Sequence, residues 1–128
     1  MFTNIIKGLE KSDRAIVGKK DTARHHGSGL LDVYATPAMI SFMEKTSMEC
    51  VQEYLPEGFG TVGFSLNIKH LKASVPGSEI ICNSRLTSVD GMQLKFDVNV
   101  YCGENLVGTG THKRYIIEED KFLKKIMM

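Results

Sequence analysis

Three side chains of chemically useful type, Thr36, Glu44 and His70, fall at spacings that could bring them to one place. Wound at about 100° per residue, positions 36 to 54 put Ile40, Met43, Glu44, Ser47, Val51 and Tyr54 in one arc. Ser41, Lys45, Glu49, Gln52 and Glu53 fall mostly on the other side. A carboxylate on the apolar arc loses hydration, so it is expected to be paired, protonated or put to use. His70 extends the twofold series Val62, Phe64, Leu66 and Ile68, and should face the same interior from a strand end. An imidazole and a carboxylate on facing inner surfaces are the equipment of general acid–base catalysis. Taken singly, each has a plainer role. His70 alone reads as a hydrogen-bonded core residue, and Glu44 as an ion-pair partner of Arg85 or Arg114.

Thr36 precedes Glu44 by eight residues, about 12 Å along a helix axis, so the two need an imidazole between them to communicate. A helix start offers free N–H groups and the positive end of the dipole, a place for a carbonyl oxygen that acquires charge. From spacing alone, Thr36 is the helix cap and Pro37 the first helical residue. Other candidates carry less. His25 and His26 should diverge and lack a metal-ligand cluster. His112, with Arg114 on the last strand, reads equally well as surface. Cys50, Cys82 and Cys102 form no CxxC pair and lack a histidine partner, which points to a reduced, cytoplasmic protein. There is no Gly-rich phosphate loop and no Gly-x-Ser-x-Gly elbow.

The elements that must position these residues follow from periodicity. The helix should run from Thr36 to about Tyr54, where Pro56-Glu57-Gly58 stops it. A strand covers 61 to 70, a second runs from about 79 to 89, and Asp90-Gly91 signals a type I′ hairpin. The return strand turns Met92, Leu94, Phe96, Val98 and Val100 inward, and a last strand spans about 106 to 117. A short early strand is expected at 15 to 18, and 20 to 35 reads as a long Gly/Ser/His-rich loop. One strongly apolar helix with a meander of strands implies an α+β layer arrangement, an antiparallel five-stranded sheet wrapped around the helix.

The 128 residues fit a single domain. A net charge of +1 gives no reason to expect nucleic acid as a partner. The basic groups Lys19-Lys20, Lys69 with Lys72, Lys113-Arg114 and Lys124-Lys125 are short: solvated surface, or a rim for a phosphorylated small ligand. No apolar run approaches the roughly 18 residues of a membrane span, and the first residues lack the pattern of a signal peptide.

Val33-Tyr34-Ala35-Thr36-Pro37-Ala38-Met39-Ile40-Ser41-Phe42-Met43-Glu44 resembles the helix start of hot-dog-fold thioesterases of the fluoroacetyl-CoA thioesterase-like family. Gly63 to His70 with Pro76-Gly77 is similar to that family's strand and following loop, and Gly108 to Arg114 to its last-strand signature. The resemblance spans roughly residues 12 to 118. It implies a hot-dog fold, edge-to-edge homodimers with sites at the interface, and hydrolysis of an acyl-CoA thioester without a further cofactor. It also implies a catalytic set on Thr36, His70 and Glu44, with the backbone at Gly63 approaching the thioester. Substrate contacts are further expected at Pro37 and Ala38, and the CoA phosphates near Lys69, Lys72 or Arg114. The family's fluoroacetyl-selective member carries aromatic residues before the helix, where this chain reads Gly27-Ser28-Gly29-Leu30-Leu31; another short or an aromatic acyl group is therefore expected. Two rival functions fit the same fold: a non-catalytic acyl-CoA or small-ligand binder, and an enoyl-CoA hydratase.

Overall fold

A computed structural model describes residues 2–128. In chain order it contains β1 (Glu10–Ile16), a 3-10 turn (Lys19–Asp21), α1 (Ala23–His26), α2 (Thr36–Gln52), β2 (Phe59–His70), β3 (Glu79–Asp90), β4 (Gln93–Cys102), β5 (Asn105–Glu118) and α3 (Glu119–Ile126). The strands form one sheet in the order β1-β3-β4-β5-β2, with every neighbouring pair antiparallel. Helix α2 lies across the inner face, chiefly against β3, β1 and β4. This is the expected α+β arrangement of a sheet wrapped around one long helix. No helix among the described residues is long and apolar enough to cross a membrane.

Leu94, Phe96, Val98 and Val100 of β4 are all buried, as their alternation requires, and meet Ile80, Cys82 and Leu86 of β3. From α2 come Met39, Met43, Cys50 and Val51. Thr46 and Ser47 complete the buried stripe of the helix. That stripe is rotated from the expected arc. Ile40 and Tyr54 are only half-buried, and Glu44 lies on its border with 40% of its side chain exposed. Thr46 and Ser47 can occupy the stripe because each hydroxyl donates to a carbonyl one turn back, Phe42 at 3.0 Å and Met43 at 2.8 Å. Ser84 on β3 reaches Ser47 at 2.8 Å, so the buried hydroxyls satisfy one another.

Several expectations are corrected. The first strand begins five residues earlier, at Glu10 rather than at Ala15. The segment 20 to 35 is not wholly loop, since Thr22 accepts from the His25 N–H at 3.2 Å and caps the short α1. Helix α3 was not foreseen, although Glu119 and Asp120 in its first turn and Lys124 and Lys125 in its last complement the helix dipole. Asp90 pairs with Gln93, so Gly91 and Met92 form the hairpin loop. Gly91 has φ +60° and among the described residues no non-glycine residue has positive φ, which fits a type II′ turn, because type I′ would force Met92 to positive φ.

Strand β2 holds the correction that matters most. Gly63 pairs with Arg114 and Ser65 with Lys113, leaving Phe64 as an extra residue in a bulge. Ahead of it, Thr61 and Gly63 face inward opposite the buried Ile116 and Arg114; beyond it, Leu66, Ile68 and His70 do. Val62 and Phe64 therefore lie on the outer face, where the Phe64 ring packs on Tyr115 with centroids 5.2 Å apart. The expected inward phase of His70 holds, but only for the stretch after the bulge.

His70 pairs across the sheet with Gly108, and α2 descends closely on that point. A Cβ on Gly108 would overlap the Met39 sulfur. Gly108→Ala is expected to lower stability by about 1–3 kcal/mol through overpacking. Urea denaturation reads the change, and unaltered stability would mean that α2 does not need this close approach.

Candidate active site

The helix begins one residue earlier than its spacing suggested. Ala35 is the N-cap, Thr36 lies inside the first turn, and no side chain caps this end. The Thr36 hydroxyl is thereby free for another partner, and its Oγ1 lies 2.8 Å from Nδ1 of His70. Thr36 is not the cap expected from spacing, and a hydroxyl hydrogen-bonded to an imidazole is the geometry in which a base activates an oxygen. Tyr34 packs edge-on to the His70 ring at 6.0 Å and 81°. Burial holds the imidazole below its ordinary pKa, with the backbone at Lys72 acting in the opposite direction. A neutral ring at neutral pH is the form that can accept a proton. Its Nε2 is buried and finds no hydrogen-bond partner among the described residues. Thr36, Pro37, His70, Leu71 and Lys72 line a hollow of about 450 Å³.

Glu44 stands in a different group. Its Oε2 is 3.8 Å from Nη1 of Arg114, whose own side chain is only 8% exposed. Thr61 takes two bonds from Arg114: Nε donates to its hydroxyl at 2.7 Å and Nη2 to its carbonyl at 2.9 Å. Nη1 reaches His112 Nε2 at 3.2 Å. A Cβ on Gly63 would lie 2.8 Å from Glu44 Oε2, 3.0 Å from His112 Cε1 and 3.2 Å from Arg114 Nη1. Gly63 thus leaves the space in which the carboxylate and guanidinium sit.

Thr36 and His70 are brought together, and so are Glu44, Gly63 and Arg114. Among the described residues no hydrogen bond or ion pair joins Glu44 to Thr36 or His70. Of the two cations weighed for Glu44, Arg114 is the one beside it, while Arg85 faces Glu10 at 3.8 Å. Arg114 is buried among these partners and does not belong to an exposed phosphate rim. Lys69 projects from the opposite face of β2 to His70, whereas Lys72 borders the hollow and donates to Asn105 at 3.1 Å. Ala38 lines a separate hollow beside Phe42 and Ile80. Burial pushes the Cys50 and Cys82 thiols up to about 11, which leaves them weak nucleophiles. Among the described residues no group of three or more His, Cys, Asp or Glu could hold a metal. His112, read from sequence as equally at home on the surface, is fully buried. Its signal was available: it shares the phase of Arg114 and Ile116 on β5.

The model of a family described as fluoroacetyl-CoA-specific thioesterase matches residues 17–120. The chain belongs to this family. A fluoroacetyl-CoA thioesterase of Streptantibioticus cattleyicolor is 33% identical over 95 residues, covering 74% of this chain and 68% of that protein. A crystal structure of a mutant fluoroacetyl-CoA-specific thioesterase superposes with a TM-score of 0.91 at 28% identity, over 97% of this chain and 96% of the other. A thioesterase superfamily member from Thermus thermophilus gives 0.88 at 25% identity, covering 96% and 91% of the two chains. Membership makes this chain an enzyme of the thioesterase class with the hot-dog fold.

Gly63→Ala puts a methyl group 2.8 Å from Glu44 Oε2, too close for the carboxylate to stay where it is. Thioester turnover is expected to fall at least about tenfold through misplacement of the carboxylate, with stability changed by less than about 1 kcal/mol because the atom that must move, Glu44 Oε2, ends a part-exposed side chain. Steady-state kinetics beside a denaturation curve separates the two effects; lost stability with full activity would count against a role for this corner.

Proposed function

We propose that the protein hydrolyses acyl-CoA thioesters at a site built from Thr36, His70 and Glu44. The observation that carries this reading is the 2.8 Å contact between Thr36 Oγ1 and His70 Nδ1 beside a hollow at the start of α2. One solved relative, 27% identical with a TM-score of 0.91, is held with acetyl-CoA, which supports an acyl-CoA as the substrate. The thioester carbonyl enters at the helix start, where the dipole favours the negative charge of a tetrahedral intermediate. His70 takes the proton of the attacking oxygen as that oxygen bonds to the carbonyl carbon. The C–S bond then breaks and that proton passes to the departing thiolate, releasing CoA. Attack by water gives the free acid directly, whereas attack by Thr36 leaves a threonyl ester that a water cleaves to the free acid, the water's proton returning to Thr36 Oγ1 by way of His70. Glu44, open to solvent beside Gly63, orients or deprotonates that water.

Leu30 and Leu31 stand 86% and 66% exposed ahead of the helix. With Gly27, Ser28 and Gly29 beside them, they offer an aliphatic rather than an aromatic border. We infer a short or aromatic acyl group other than fluoroacetyl. Three free cysteines favour a reducing, cytoplasmic setting. The edge position of β2, with Phe64 48% exposed beside Gly63, favours a homodimer joined along that edge. In such a dimer the half-exposed Glu44 of one copy could be closed off by the other.

Thiol release across a panel of acyl-CoAs tests the proposal. Glu44→Gln and His70→Ala are each expected to lower turnover by about 100-fold or more. Thr36→Ala assigns the attacking oxygen: a comparable loss makes it the threonine's, and a smaller one makes it water's. Unchanged rates in both the Glu44 and His70 variants would remove the assignment, and acyl-CoA binding without thiol release would leave a binding protein.

A further inference from the structure

His112 lies outside the set of residues assigned to the reaction, yet its surroundings fix its protonation. The ring is fully buried and stacked against Phe96, with centroids 6.2 Å apart and planes at 28°. Both nitrogens are engaged: Nδ1 with the Ser65 carbonyl at 2.9 Å, and Nε2 with Arg114 Nη1 at 3.2 Å. A carbonyl can only accept and a guanidinium can only donate. Nδ1 therefore carries the hydrogen, and Nε2 presents its lone pair to Arg114. The charged groups facing the ring are Arg114 on β5 and Glu44 on α2. Burial is the largest influence keeping the ring neutral; the Ser65 carbonyl and Glu44 oppose it, while Arg114 reinforces it.

The anchoring carbonyl is that of Ser65, immediately after the bulge. At its other end the contact restrains Nη1, the same nitrogen that lies 3.8 Å from Glu44 Oε2. A chain of contacts thus runs from the bulged backbone through His112 and Arg114 to the carboxylate. We propose that His112 is a positioning residue for the thioesterase reaction: as a neutral Nδ1–H imidazole it holds Arg114, and through Arg114 it fixes Glu44 beside Gly63. This rests on the reading of Glu44 as a catalytic group.

Two polar substitutions separate the two ends of the ring. Asn places an amide near Nδ1 and keeps the Ser65 bond without reaching Arg114; Gln reaches the Nε2 position and can accept from Arg114. His112→Asn is expected to lower kcat about 10- to 100-fold, as misplacement of a catalytic group does, with KM within about threefold. His112→Gln is expected to recover most of the loss. In a Glu44→Gln background His112→Asn should cost less than about threefold, because residues acting as one unit are not additive. A structural role would cost the same in both backgrounds, and that result would overturn the proposal. So would full activity in His112→Asn. Ring nitrogen NMR of the unmodified protein at neutral pH gives a readout independent of any variant. A neutral His112 protonated on Nδ1 is expected, while an Nε2–H tautomer or an imidazolium would overturn the proposal. Should Glu44→Gln itself leave turnover unchanged, the catalytic reading of Glu44 fails first, and this is visible before the His112 variants are compared.

Discussion

One extra residue in an edge strand governs how the site is assembled. Without the bulge at Phe64, Gly63 and His70 would point to opposite faces of β2, because they are separated by an odd number of positions. The bulge turns both inward. The gap beside Glu44 and the imidazole beside Thr36 then share one face of the sheet, under one helix. The bulge also places Phe64 on the outer face, against Tyr115, and brings the Ser65 carbonyl to His112. A strand irregularity of this kind is a means of re-aiming side chains next to a site.

Helix α2 must meet that strand at the right height. Gly108 lets Met39 approach the sheet, and Thr36, one turn earlier in the helix, then reaches His70 directly across from Gly108. At the other group, a buried guanidinium needs compensation for lost hydration. Arg114 finds it in Thr61, His112 and Glu44 rather than in solvent. Burial pulls its pKa down and Glu44 pulls it up, but an arginine starts so high that it stays charged. The carboxylate therefore faces a fixed positive charge, held from behind by a histidine that cannot readily acquire charge itself.

Sequence periodicity read the frame well where one face is apolar and the other polar, as in β4. It failed in β2 for a physical reason. Val62 and Phe64 are apolar although they face outward, so the alternation ran unbroken through the bulge and gave no sign of it. On α2, Met39, Thr46 and Cys50 draw the buried stripe away from Glu44, because back-bonded hydroxyls and a thiol can be buried where polarity alone would place them outside. Glu44 was singled out for deep burial and proved to be a border residue; its pairing with Arg114 was legible as one of two options. His112 reads equally well as surface because the residue that shares its face of β5, Arg114, is charged, and only the structure places that guanidinium inside. The meeting of Thr36 and His70 depended on the approach of helix to sheet, which no local period encodes.

In the proposed reaction one acyl carbonyl is handled between the Thr36–His70 pair and the Glu44–Gly63 corner. A crystal structure of the protein with a non-hydrolysable ketone analogue of acyl-CoA tests it most directly. The carbonyl oxygen is expected at the start of α2, with its carbon facing Thr36 and His70 and the Glu44 carboxylate on its other flank. A carbonyl found away from both groups, for instance in the hollow lined by Gly60 and Val62 of β2 and by Phe122 and Leu123 of α3, would contradict this assignment.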